Sequence, residues 1–325
     1  MLVDALRRRV RTRSDVCRAE RLDWLMAGGP WVARVENDGE SGGGPTVRRM
    51  LLGAQLRRLR EAKGVSREEA GYLIRGSESK ISRIELGRVG FKERDVADLL
   101  TLYGVVEEAE RTALLTLASE ANKPGWWQPY GDLLPTWLQI YLDLEAAATL
   151  IRTYEVQFVP GLLQTEAYAR AVILLSYEAE DPEEIDRRVS LRMARKRLLT
   201  RPDARQLWAV IDEAVLRRPI GGVEVMQEQI GALIQATDLP NVRLQVMPFR
   251  AGGHAAAGGA FTVLRFPDQD LPDVVYIEHL TGALYVDKRE EVDRYLAAVG
   301  QLFIAAEPVV DTPAILRRIL HELET

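Results

Sequence analysis

At Asn122 the character of the chain changes. The segment "NKPGWWQPYGDLLPTW", residues 122–137, holds three prolines and three tryptophans. Neither a helix nor a strand runs through such a stretch, because each proline lacks the amide hydrogen that a ladder needs. Before it, apolar residues recur at helical spacing; after it, helical stripes mix with short period-two runs. The expectation is a multidomain chain: an all-α part, then an α+β part with a mostly antiparallel sheet. Its 325 residues are enough for two cores. Aromatic side chains at the junction argue against a loose tether and for docking of one part on the other. Filling the second core is the plainer alternative.

The first part reads as five helices. Leu52, Leu56 and Leu59 fall at i, i+4 and i+7, and "AKGVS" follows with a glycine stop and a serine cap. Ser66 with Glu69 three residues on is a capping box, opening a second helix with Ala70, Leu73 and Ile74 inward. Ser77 caps a third, with Ile81 and Ile84 inward and Gly87 at its end. Val96, Leu99, Leu100 and Tyr103 mark a fourth. A fifth covers about Glu107 to Glu120. Upstream, residues 1–45 form an extension expected to be flexible, with a basic cluster (Arg7, Arg8, Arg9, Arg11, Arg13) and a short helix around Leu22, Trp24 and Leu25. The divisions are therefore 1–45 extension, 46–120 helical domain, 121–137 connection and 138–325 α+β domain.

Two short capped helices joined by a tight turn and packed on a third have the geometry of a helix-turn-helix. A recognition helix offers its N-terminal outward side chains to the major groove. Here those are Ser77, Glu78, Ser79, Ser82 and Arg83, with Lys80 at the flank. Arginine pairs bidentately with guanine, serine donates to phosphate or base, and glutamate accepts from cytosine. Charge is concentrated to match. The whole chain carries −5, but Arg48 to Arg94 has 13 basic and 6 acidic residues and stands at +7. A phosphate senses charge within roughly 8 Å at physiological salt, so the acidic total does not exclude DNA. Glu85 is assigned to contacts inside the domain. One recognition helix covers too few base pairs to find a genomic site, so a homodimer on an inverted-repeat operator in double-stranded DNA is expected.

The stretch "VSREEAGYLIRGSESKISRIELGR" resembles the Cro/repressor-type (XRE) helix-turn-helix. The resemblance covers about Arg48 to Tyr103. It departs at Ala70-Gly71, where the family usually has Leu-Ala, and at Arg75-Gly76, where it usually has Gly-Val. By similarity Arg67 and Arg88 contact phosphate, while Glu78, Ser79 and Arg83 face bases. From about Gly125 to the end, "PGWWQPYGDLLPTWLQIYLDLEAAATLIRTYEVQFVPGLLQTEAYARAVI" and "LWAVIDEAVLRRPIGG" are similar to actinomycete XRE regulators that share one C-terminal domain of unknown function. That likeness implies transcription regulation, often beside a small partner protein encoded nearby.

In the second part Leu138 to Ile151 reads as a helix and "TYEVQF" as a strand. Helices are expected at Thr165–Ser176, at Pro182–Thr200 and around Met226, Ile230, Leu233 and Ile234. Five further strands are "QLWAVI", "VRLQVM", "FTVLRF", "VVYIEH" and "ALYVD". Thr312 caps the last helix, with Pro313 at its first position. No catalytic constellation or cofactor site stands out, so none is assigned. His254, His279 and His321 lack ligand spacing, and Asp212-Glu213 reads as a cap rather than an acid and base. "AGGHAAAGGAF" reads as a hairpin connection, with a mobile loop near a ligand as the alternative. "DRRVSLRMARKR" reads as a solvated basic face, with a second DNA or partner contact as the alternative. Trp126, Trp127, Tyr130 and Trp137 are the candidate partner or interdomain residues. With one cysteine, no apolar leader and no membrane-length apolar run, a cytoplasmic protein is expected. Two further readings stay open: an antitoxin-like protein of a small neighbour, and an enzyme fused to a DNA-binding module.

Overall fold

The computed structural model describes residues 46–123, 125–177, 181–267 and 271–324. The extension 1–45, with its basic cluster and the helix expected around Trp24, lies outside the described residues.

The first five helices are α1 (Thr46–Lys63), α2 (Arg67–Leu73), α3 (Glu78–Glu85), α4 (Glu93–Leu102) and α5 (Glu108–Ala121). Leu52, Leu56, Ala70, Ile74, Ile81, Ile84, Val96, Leu99, Leu100 and Ala118 share one core. Leu73, expected inside, is 42% exposed. Helix α2 ends at that residue, and the chain turns at Arg75 so that Ile74 takes the inner place. Helix α1 has two apolar faces. Its later turns feed the first core, while Val47, Met50 and Leu51 pack into the core of the second domain.

That second core lies on one face of a six-stranded sheet: β1 (Leu150–Glu155), β2 (Gln206–Asp212), β3 (Val242–Met247), β4 (Phe261–Arg265), β5 (Val274–His279) and β6 (Gly282–Val286). The order is β3-β2-β1-β4-β5-β6. Strands β1, β2 and β3 run parallel, and β1–β4, β4–β5 and β5–β6 pair antiparallel. The sheet is therefore mixed, with antiparallel pairings in the majority. Parallel neighbours need crossovers. Helices α7 (Glu166–Tyr177) and α8 (Pro182–Arg195) join β1 to β2, and α9 (Glu213–Arg217) and α10 (Val223–Ala236) join β2 to β3. With α6 (Thr136–Ala147) and α12 (Thr312–Glu324), the longer helices cover the face that carries Ile151, Leu207, Ala209 and Ile211. Helix α11 (Arg289–Ala305) covers the other face, against Tyr154, Val210, Val263 and Val275.

Four expectations need correction. The helix read to Ile151 ends at Ala147: Ala148 is extended, the Thr149 amide bonds to the Arg265 carbonyl, and Ile151 lies in β1. Residues 251–261 are not a hairpin connection, since β2 and β1 lie between β3 and β4. The crossing carries His254 to Tyr154, whose hydroxyl lies 2.8 Å from Nε2, while the same hydroxyl donates to Asp212 at 3.2 Å. The Thr312 hydroxyl is buried and donates to the Leu244 carbonyl of β3, anchoring α12 to the sheet. The basic run 186–197 is no solvated face. Arg187 forks onto Asp132, Arg188 donates to the Leu133 carbonyl, Arg192 donates to Gln164, and Arg195 forks onto Glu145. Arg188, Arg192 and Arg195 turn inward because each guanidinium meets an acceptor there, while the Arg187–Asp132 pair stays at the surface.

Candidate nucleic-acid interface

Each element of the interface is set by local chemistry. The Ser66 hydroxyl accepts the Glu69 amide at the start of α2, and the Ser77 hydroxyl accepts the Lys80 amide at the start of α3. Helix α3 closes in a Schellman arrangement: Gly87 N–H donates to Ile84, Arg88 N–H donates to Arg83, and Gly87 sits at φ 67°. Glycines also set the spacing. A methyl group on Gly53 of α1 would lie 2.6 Å from the carbonyl oxygens of Ile84 and Glu85; one on Gly71 would lie 2.9 Å from the Ser77 backbone. The last turn of α3 therefore rests directly on the backbone of α1. Where the family resemblance leads one to expect glycine in the turn, Arg75 adopts φ 53° and keeps the left-handed bend.

Inside the domain Glu85 is buried and tied to Arg60 by a short Nε–Oε1 contact and a second bond of 3.2 Å from Nη2. That hydrogen bonding holds the Arg60 guanidinium above its ordinary pKa. Glu85 thus makes the internal contacts assigned to it. Arg67 donates from Nε to the same carboxylate at 2.9 Å. Lys80 pairs with Asp95 at 2.6 Å. Glu78, Ser79 and Arg83 are exposed along one side of α3, Ser82 is half-buried beside them, and Arg88 is exposed just beyond the helix. The structure therefore brings Ser77, Glu78, Ser79, Ser82 and Arg83 to one edge, and engages Arg67 and Lys80 with internal carboxylates. Sequence reasoning did not single out Tyr72, which is 87% exposed on α2.

The four aromatics at the junction separate. Trp127 is buried and its indole donates to Asp143 Oδ1 at 2.8 Å; Tyr130 and Trp137 pack partly buried on the second core; Trp126 is 40% exposed. Asp143 of α6 also accepts from the Thr46 amide and hydroxyl, each at 3.2 Å, through Oδ2. Burial pushes its carboxyl up from the ordinary value, and the bonds from Trp127 and Thr46 oppose that shift. Nearby, Arg49 Nε donates to the Ala121 carbonyl at 3.2 Å. Asp143 was missed in the sequence. The available signal was a pair of carboxylates, Asp143 and Glu145, inside the otherwise apolar "WLQIYLDLEAA".

Comparison with known families separates the same two parts. Residues 51–114 match a helix-turn-helix domain, and residues 138–318 match a domain of unknown function, DUF5753. The second match covers more than half of the chain. The chain belongs to the DUF5753 family. In front of its DUF5753 domain it carries a helix-turn-helix domain, the module by which transcription regulators bind DNA. No curated protein and no solved structure matches the chain. Among the described residues no single helix is long and apolar enough to cross a membrane.

Proposed function

We propose that this protein is a sequence-specific transcriptional regulator of the cytoplasm. Residues 46–120 read an inverted-repeat operator as a homodimer, and the domain at 138–325 adjusts that binding by taking up a small partner protein or ligand. The observation that carries the reading is the exposed edge of α3. Ser77, Glu78, Ser79, Ser82 and Arg83 are presented there on a helix whose opposite side, Ile81 and Ile84, is locked in the core. Arg83 suits guanine and Glu78 suits cytosine, while Arg88 and the capped start of α3 suit phosphate. Arg67 and Lys80 support the reading by fixing α2 and α3 on their neighbours as well as by lying beside the edge.

Selection of bound sequences from random duplex DNA tests the proposal. The expected result is a two-fold symmetric motif with half-sites about one duplex turn apart. Affinity should fall steeply with salt, with log K decreasing by about 0.9 per phosphate contact in log salt. A salt-independent affinity, or an asymmetric motif bound by one protomer, contradicts it.

A further inference from the structure

Helix α6 is buried on all sides along one turn, Tyr141 to Glu145. Asp143 points to the junction with the helix-turn-helix domain. Tyr141 and Glu145, two residues either way and so on the opposite side of the helix, line a cleft with Thr153, Glu155, Gly161, Arg195 and Thr262. The cleft is partly open to solvent, and its volume of about 20 Å³ has room for about one water-sized group.

The hydrogen bonds in this cleft leave one acceptor over. Arg195 forks onto Glu145 at 2.8 and 2.7 Å through Nε and Nη2, and the Tyr141 hydroxyl donates to the same carboxylate at 2.9 Å. Glu155 receives one bond, 3.0 Å from the Thr153 hydroxyl, which lies 2.9 Å from that of Thr262. Among the described residues no cation lies in salt-bridge range of Glu155. Burial pushes its carboxyl up to about 7, and the neighbouring Glu278 charge adds to the shift. The Arg192 and Arg195 guanidiniums oppose that shift without bonding to Glu155. Glu155 closes β1, the strand with a parallel neighbour on one side and an antiparallel one on the other.

We propose that this cleft binds a small ligand through a primary ammonium group, with Glu155 as its counter-charge, and that α6 carries occupancy to the helix-turn-helix domain. An ammonium is water-sized, brings a single positive charge, and has three donors for the free Glu155 oxygen and the threonine hydroxyls. An anion would meet the Glu155 carboxylate, and Glu145 already holds Nε and Nη2 of Arg195. A hard divalent cation needs six or more oxygens, more than the cleft converges. Filling the cleft presses on Tyr141 and Glu145, and the same helical turn holds Thr46 and Trp127 through Asp143. This inference rests on reading the second domain as a sensing module.

The test uses full-length protein at pH 8, titrated with methylammonium and n-butylammonium. Tetramethylammonium, which has no N–H and is too large for the cavity, is the control. Binding is read by calorimetry and by the thermal midpoint. Saturable binding to the wild type is expected, at least tenfold weaker in Glu155→Gln and absent for tetramethylammonium. The Gln side chain keeps the shape and removes a half-buried charge, so folding is retained, as circular dichroism can verify. No saturable binding, equal binding by the variant, or equal binding of tetramethylammonium overturns the site. The second arm measures affinity for a selected operator with and without saturating n-butylammonium. A change of at least threefold in the wild type, lost in Glu155→Gln, is expected; constant affinity with the amine bound overturns the coupling. Amine binding is read without DNA, so failure of this site and failure of DNA recognition are distinguishable.

Discussion

The indole N–H of Trp127 donates to Oδ1 of Asp143 at 2.8 Å, with both residues buried. The second oxygen of that carboxylate accepts from Thr46, so one side chain of α6 holds both the junction and the first turn of α1. Trp127→Phe keeps most of the packing and removes the donor. It is expected to lower stability by about 1–3 kcal/mol, the cost of a buried acceptor left unpaired. Trp126→Ala, at an exposed position, should stay within about 0.5 kcal/mol of the wild type. Urea titration of the full-length protein separates the two.

Gly53→Ala places a methyl group 2.6 Å from two carbonyl oxygens at the end of α3. Neither backbone can yield without moving α3. A loss of about 1–3 kcal/mol in stability is expected, together with weaker binding of a selected operator at fixed salt. Thermal unfolding and a DNA titration on the same preparation measure both.

Arg75 occupies the left-handed region at φ 53°, a conformation costing roughly 1–2 kcal/mol for a side chain with a Cβ. Arg75→Gly should raise stability by up to about 1 kcal/mol, the remainder being offset by the greater freedom of glycine in the unfolded chain. Arg75→Val should lower it, because a branched Cβ is strained further. Denaturant midpoints for the pair decide the matter.

Arg67, Arg83 and Arg88 should separate in their effects. Arg67→Ala takes a partner from buried Glu85, so it should reduce stability as well as DNA binding. Arg83→Ala should leave stability unchanged and relax base preference at one position per half-site, by about 1–3 kcal/mol. Arg88→Ala should weaken binding to all sequences alike. Sequence selection combined with denaturation of each variant resolves the three roles.

Glu155 gives a pH dependence with a definite sign. Its carboxyl is raised to about 7 in the folded protein, against roughly 4.3 in an unfolded chain. The folded state therefore keeps a proton that the unfolded state releases. This stabilising contribution is full below about pH 4 and is lost as pH rises through 7. Relative to Glu155→Gln, the wild type should become less stable between about pH 5 and 8, by on the order of 2 kcal/mol. A difference that does not change with pH would contradict the assignment.

What was legible in the sequence was what a few neighbouring residues decide. The serine caps at Ser66 and Ser77, the stops at Gly64 and Gly87, and the inward Ile81 and Ile84 follow from local hydrogen bonding and helical period. The junction between helical and mixed parts was visible in its prolines and tryptophans. The errors arose where distant partners decide. Helical propensity ran past Ala147 because "AAATLI" does not disclose the strand β4 that captures Ile151. The arginines of α8 looked solvated because Glu145, which takes Arg195, lies 50 residues away. Asp143 meets Thr46 across 97 residues, a contact that no window of sequence reveals.

The helical domain begins and ends at one place. Thr46 is held by Asp143, and Arg49, three residues on, reaches the carbonyl of Ala121, where α5 finishes. Its entry and exit therefore lie side by side, while the exposed edge of α3 takes no part in the attachment. A module joined in this way behaves as a cassette. Replacing α2 and α3 with those of another helix-turn-helix domain should leave the mooring untouched, because the bonds that fix entry and exit come from Thr46, Arg49, Ala121 and Asp143.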